Sequence, residues 1–444
     1  MNIVIAGAGE VGSHLAKMLT FENHEIVVLD EDEEKLTMLA SSLDLMTVEG
    51  SAISIRDLRE SGAAQADLFI AVTPYEERNL IACQLAKDLG SKKTIARIDN
   101  QEYLFSHNKE KFVRMGIDEL IYPEHLAAKE IVEYIKLTNT RQVLEFSSGQ
   151  LILFGIKIRE RGEFVGQTLE EMSKTLSDFR VVAISRYGET IIPTGSDQIL
   201  LNDLVFFISE KNKVDEILKK AGKTKYEIKN IMILGGSRIG VKTALRLKDQ
   251  FKVTIIEVDK KQSHKIASKL DDTMVINGDG RDLDLLKDEG IEKVDAFVAV
   301  TGNAETNILS CQMAKKMGVK RTVAEVENMD YLDFAENIGI GGVINKKRIA
   351  ASYIYRFTMN TEVTHVKCLT ASDAEVFEFV AKKNSKITKG PLKDIRLPEG
   401  VSVGGVIRSE RGIIANGSTQ VQQDDRVIIF CLPHSINKLS KLFK

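Results

Sequence analysis

Through roughly the first 120 residues, short β-branched and apolar runs alternate with longer stretches whose apolar side chains recur every three or four positions. The runs at 3–6, 26–29, 45–48, 68–72, 94–98 and 119–121 predict strands. Leu80, Ala82, Cys83, Leu85, Ala86 and Leu89 trace the stripe of a helix between two of them. Strict strand–helix alternation predicts a parallel sheet covered by helices on both faces. Leu68-Phe69-Ile70-Ala71-Val72 is apolar at every position, as a doubly covered strand requires. Beyond residue 139 the pattern shifts to closely spaced strands at 150–158, 181–186, 189–193 and 204–208, with a hairpin expected at Gly188.

The whole pattern then repeats. Strands are predicted at 231–234, 253–257, 274–276, 296–300, 322–326 and 342–344, followed by a second strand-rich block with runs at 375–380, 403–408, 412–415 and 426–431. Ala71-Val72-Thr73 returns as Ala299-Val300-Thr301, and Cys83-Gln84 as Cys311-Gln312. The offset holds at 228 residues without a gap, Gly50 facing Gly278 and Leu104 facing Leu332. Such a period marks a domain duplication; solenoid repeats run roughly 20–50 residues. The expected fold class is α/β: two Rossmann-like, doubly wound parallel-sheet domains at 1–138 and 226–361, each followed by a small α+β domain at 139–225 and 362–444. A polar hinge, Gly222-Lys223-Thr224-Lys225, is expected between the halves.

Composition narrows the functional classes. A net charge of −3 offers no basic surplus for nucleic acid. No apolar run approaches the roughly 20 residues of a membrane span, and a strand pattern occupies the place of a signal peptide, so an intracellular chain is expected. The four cysteines lack metal-ligand spacing and read as buried small hydrophobes.

Gly7-Ala8-Gly9-Glu10-Val11-Gly12 follows a predicted strand and opens a helix, and Asp30 closes the next strand. That context is the dinucleotide-binding fingerprint. Gly7 would make the tight turn, Gly9 admit a pyrophosphate, and Gly12 permit close helix–strand packing. The helix N-terminus offers unsatisfied N–H groups and partial positive charge. Asp30 would accept from a ribose diol and repel a 2′-phosphate, favouring NAD(H) or an adenine nucleotide over NADP. The second loop, Gly235-Gly236-Ser237-Arg238-Ile239-Gly240, puts Ser237 where the middle glycine stands, with Arg238 as a compensating cation and Glu257 at the ribose position. Ser51 faces Asp279 after the third strand, and Arg97 faces Glu325 at the end of the fifth. Thr73, ending the fourth strand, and Arg97 join the expected set for copy one. Arg97 has two readings, a phosphate contact or a surface or inter-subunit salt bridge. Copy two is read either as a site of different preference or as a scaffold.

No catalytic constellation accompanies these loops. None of the seven histidines recurs at equivalent positions, and His14, the one near the loop, is expected to be exposed. Nucleophile elbow, zinc motif and Walker lysine are all missing from the sequence. Binding without turnover is the leading reading, and a pyridine-nucleotide oxidoreductase its rival.

The chain resembles the tandem RCK (KTN) domain family, the peripheral NAD-binding regulatory subunits of Trk-type potassium uptake. The resemblance rests on the first glycine loop, Asp30, Ala71-Val72-Thr73 with Asn79, Ala96-Arg97, Gly116-Ile117-Asp118-Glu119 leading to Pro123, and the Ile192-Pro193-Thr194-Gly195 turn before Asn202-Asp203. It implies a homo-oligomeric ring, a dimer or tetramer of tandem subunits, in the cytoplasm beneath a TrkH-type membrane potassium channel subunit. It implies NAD(H) in copy one, ATP/ADP as a further possibility, especially in copy two, and gating by ligand-shifted conformation. The helix from Pro123 to about Thr138 resembles the crossover through which family members pair; its copy-two counterpart, Lys346 to Thr358, lacks the proline. A third reading is a structural ring protein whose C-type domains sense another effector, such as a cyclic dinucleotide.

Overall fold

The computed structural model describes the chain except residues 21–23, 139, 141, 160–161, 176–177, 188, 224–225, 329, 359–362, 370–371, 373, 433–434 and 444, and the side chains of 148, 175, 333, 363–368, 437 and 440. The hairpin glycine Gly188, half of the expected hinge (Thr224 and Lys225) and His434 lie outside the described residues.

Six parallel strands form the first sheet: β1 (Asn2–Ala6), β2 (Glu25–Asp30), β3 (Met46–Glu49), β4 (Leu68–Ala71), β5 (Thr94–Arg97) and β6 (Glu119–Ile121), in the order β3-β2-β1-β4-β5-β6. Ile3, Val4, Ile5 and Ala6 of β1 and all of β4 are buried, because helices cover both faces. The order reverses between β1 and β4, and the crevice at such a switch point is where these sheets take ligands.

An antiparallel sheet follows, from β7 (Val143–Phe146), β8 (Leu151–Lys157), β9 (Phe179–Arg186), β10 (Glu189–Ile191) and β11 (Leu204–Ser209). The second parallel sheet comprises β12 (Asn230–Leu234), β13 (Lys252–Glu257), β14 (Met274–Asn277), β15 (Ala296–Ala299), β16 (Arg321–Glu325) and β17 (Gly342–Ile344). Its order, β14-β13-β12-β15-β16-β17, reproduces the first. The last sheet holds β18 (Val363–Cys368), β19 (Glu375–Val380), β20 (Val401–Arg408), β21 (Arg411–Ile414) and β22 (Arg426–Cys431). Its order matches that of the first antiparallel sheet strand for strand, so the duplication extends to topology. The strands β7 and β18 were absent from the sequence expectation. Three of the four residues of β7 (Val143, Leu144 and Phe146) are buried, so it carries no period-two alternation to read.

The chain divides into two compact units: Met1–Leu126 with Lys346–Asn360, and Ala127–Asn345 with Thr361–Lys444. In the first, the helix Lys346–Tyr355 packs along the helix Glu10–Thr20. In the second, the two antiparallel sheets share one core that includes Phe146, Leu153, Phe206, Val376, Ile428 and Phe430. There Arg186 and Arg408 fork onto Asp203 and Asp425, each pair at 2.8–2.9 Å. Asp425 is buried at 1% exposure in that ion pair.

Candidate functional site

The three glycines of the first loop face three different surroundings. Gly7 has φ +114°, a region open to glycine, and a Cβ there would lie 3.0 Å from the Thr73 amide nitrogen. A Cβ on Gly12 would sit 1.9 Å from the Gly7 carbonyl oxygen, so the helix reaches the strand only because the side chain is missing. A Cβ on Gly9 would meet nothing within 4 Å. The loop therefore needs Gly7 and Gly12 to fold, while Gly9 leaves open space at the N-terminus of the helix Glu10–Thr20.

Asp30, at the end of β2, grips this loop. Its carboxylate accepts from the Ala8 amide and from the Asp32 amide at 3.0 Å, keeping an acceptor beside the crevice. Ser51 lies in the loop after β3, its amide donating to Asp57 at 2.9 Å. Asn79, buried on the helix Glu76–Leu89, accepts from the Thr73 amide (2.9 Å) and hydroxyl (2.7 Å) and donates to the carbonyls of Thr73 and Arg97 (both 3.0 Å). It thereby ties the carboxyl ends of β4 and β5 together. Val11 is buried behind the loop, and Glu10 stands exposed at the helix start.

Arg97 turns towards Glu124, with Nη2 3.5 Å from Oε1 and 4.0 Å from Asp99 Oδ1. Its Nε and Glu124 Oε2 are buried without a hydrogen-bond partner. In this geometry Arg97 pairs with Glu124 of its own chain, and the glutamate is buried. His14, expected to be exposed, is half-buried, and its pKa falls to about 4 through desolvation and the nearby Arg348, Lys17 and Lys347.

That histidine predicts an acid sensitivity. Between pH 6.5 and about 4 the unfolded chain binds a proton at His14 that the native chain refuses, so stability falls as the pH drops through this window. The expected loss is about 2–3 kcal/mol. Denaturant unfolding at pH 7 and 4.5 should show His14→Gln losing less stability than the parent by about that amount.

Copy two repeats the bracket and alters the loop. Asn307 joins Thr301 to the Glu325 carbonyl at 2.6–3.2 Å, as Asn79 does in the first half. Gly235 has φ +105°, and a Cβ on Gly240 would lie 2.2 Å from the Gly235 carbonyl oxygen. Glu257 accepts from the Gly236 amide at 2.6 Å, matching Asp30. Ser237, however, caps the helix Arg238–Leu247, its hydroxyl accepting from the Gly240 amide at 3.3 Å. The Gly240 amide is thus satisfied by the helix cap itself. Arg238 is exposed, Ile239 buried, and Asp279 is held by Arg281 at 2.6 Å, which lowers its pKa. Glu325 is 3% exposed and puts an acid where copy one has Arg97.

Cys83, Cys311 and Cys431 are buried free thiols; burial pushes Cys83 and Cys311 far up, and Cys431 to about 12. Among the described residues no group of three or more His, Cys, Asp or Glu is arranged to hold a metal, and no helix is long and apolar enough to cross a membrane. A cavity of about 480 Å³ lies between the antiparallel sheets, lined by Leu169, Arg180, Pro193, Thr194, Ala415 and Asn416. Arg180 donates to the Ala415 carbonyl at 3.0 Å while its Nε has no hydrogen-bond partner, and burial lowers its pKa.

The TrkA-N domain pattern matches residues 3–123 and 231–346, and the TrkA-C domain pattern residues 153–222 and 376–444. The Trk system potassium uptake protein TrkA of Vibrio alginolyticus is 34% identical, over 97% of this chain and 95% of its own length. That of Halomonas elongata is 33% identical, over 100% and 99%. Among solved structures, the GsuK RCK domain superposes with a TM-score of 0.62 at 17% identity, covering 99% of this chain and 94% of that one. The GsuK channel bound to NAD does so with 0.62 at 17% identity, covering 100% and 78%.

Proposed function

This chain belongs to the TrkA family of Trk system potassium uptake proteins, and from that premise we propose that it is a cytoplasmic regulatory subunit that gates a TrkH-type membrane potassium channel in response to nucleotide. It is a binding protein and not an enzyme. Gly7, Gly9, Gly12 and Asp30 form the principal site and take NAD(H). The amides of Glu10 and Val11 face the phosphates, with Ala8, its own amide held by Asp30, and Ser51, Thr73 and Arg97 around the crevice. Copy two, with Gly235, Ser237, Arg238, Ile239, Gly240, Glu257 and Asp279, takes ADP or ATP weakly or serves as scaffold. The domain division is that of four modules, 1–138, 139–225, 226–361 and 362–444, assembling as a ring of tandem subunits.

The single observation that carries this reading is the open space at Gly9, framed by a helix N-terminus and Asp30. A ligand shifts a gate only by binding two ring states with different affinity. NADH binding by the full-length protein is therefore expected, with Asp30→Ala weakening it about 10–100-fold through the lost charged acceptor. Calorimetric titration with NADH, NAD⁺, ADP and ATP tests the reading. A folded chain that binds none of them sinks it.

The cavity beside Arg180 favours a second reading alongside the first, a further anionic effector at the C-type domains. Its test is an anion-dependent rise in melting temperature that Arg180→Ala abolishes.

A further inference from the structure

Resting on the assignment of a dinucleotide to copy one, we propose that Lys347 masks the charge of Glu10, so that the first glycine loop accepts a pyrophosphate only while the helix Lys346–Tyr355 is docked against it.

Glu10 is the first residue of the helix that follows Gly9. A carboxylate there suits an empty helix N-terminus, whose partial positive charge it offsets. It opposes a ligand whose phosphates need that same field. The helix Lys346–Tyr355 follows the last strand of the second parallel sheet, yet belongs to the compact unit of the first. Lys347 on it is 8% exposed, and its Nζ lies 2.6 Å from Glu10 Oε1, whose side chain is 62% exposed. A long cationic side chain buried in this way is held by its partner. The positive field reaches one turn further, since Arg348 and Lys347 both act on His14.

The pair therefore does two things. It removes a negative charge from the edge of the phosphate cradle, and it places a cation where a pyrophosphate would draw on it. The lysine comes from the second half of the sequence, so occupancy of copy one becomes linked to the docking of a copy-two helix. Linkage is reciprocal: a dinucleotide that binds better with the helix docked must also hold the helix in place. No such cation follows from the glycine motif itself.

The test is a double-mutant cycle on the full-length protein with NADH as probe, covering parent, Glu10→Gln, Lys347→Met and the double variant. Lys347→Met should bind about 10-fold more weakly, within the 5–150-fold span of such couplings. Glu10→Gln should bind several-fold more tightly, and the double variant within about twofold of the parent. NADH should also slow amide hydrogen exchange across residues 346–355 in the parent, and less in Lys347→Met. An unchanged Lys347→Met, or a double variant that binds as weakly as Lys347→Met alone, overturns the masking role. If Lys347→Met does not fold, Glu10→Gln decides alone, because its side chain is exposed: tighter binding supports the proposal, and unchanged or weaker binding overturns it. A parent that binds no NADH defeats the site assignment and the proposal together. A parent that binds normally, with both single variants unaltered, defeats the proposal only.

Discussion

Gly9→Val should bind NADH at least 100-fold more weakly with its melting temperature unchanged, whereas Gly12→Val should fail to fold properly. The contrast follows from two distances. A Cβ on Gly9 meets no atom within 4 Å, so a valine side chain starts into open space and occupies the volume a pyrophosphate needs. A Cβ on Gly12 lands 1.9 Å from the Gly7 carbonyl oxygen, a clash that only displacement of the helix from β1 relieves. Overpacking of this kind costs typically 1–3 kcal/mol, and more when backbone is the obstacle. Binding calorimetry and thermal unfolding on the same preparations separate the two effects. Equal melting losses in both variants would mean that the space at Gly9 is structural.

The second large effect is expected at Arg321→Ala, which should lose about 3–5 kcal/mol, a melting shift on the order of 10 °C. Arg321 is 3% exposed, at the start of β16. It donates to the carbonyls of Tyr134, Leu137 (2.8 Å) and Thr140 (2.9 Å), at the end of the helix Pro123–Lys136. Helix C-termini leave carbonyls without partners and carry partial negative charge, so a buried guanidinium there answers both needs. It also stacks 3.5 Å from the centre of the Tyr134 ring. Gly341 and Gly342 make room for that side chain, since a Cβ would lie 2.5 Å from the Tyr134 hydroxyl at the first and 3.0 Å from its ring at the second. The equivalent position in copy one is Lys93, whose Nζ lies 4.3 Å from the Phe357 ring centre, with a pKa lowered by burial. Lys93→Ala should cost under about 1 kcal/mol. Thermal unfolding of the two variants side by side measures the inequality.

The parallel sheets were legible in the sequence because their strands are short, β-branched and flanked by turns. Gly7, Gly9, Gly12 and Asp30 were legible because each residue type suits its geometry. The duplication was legible from a constant offset, and the topology repeats with it. Other parts left no local signal. The strand Val143–Phe146 has too few residues and too little alternation to stand out. Asn79 was visible as a repeated letter, yet its tie between β4 and β5 depends on a backbone carbonyl eighteen residues away. Lys347 lies more than 300 residues from Glu10, and ion pairs at such separation appear only in the fold. The pairing of Arg97 with Glu124, twenty-seven residues on, likewise appears only in the fold.

The central claim is that the two halves are an unequal pair, with one dinucleotide site per chain at the first glycine loop. Calorimetric titration of the full-length protein with NADH, in the parent and in Gly9→Val, tests it most directly. The full chain is required because residues 346–360 form one unit with residues 1–126. The predicted result is a single NADH site per chain that Gly9→Val abolishes. Two equivalent sites per chain, or one that survives Gly9→Val, would contradict the account.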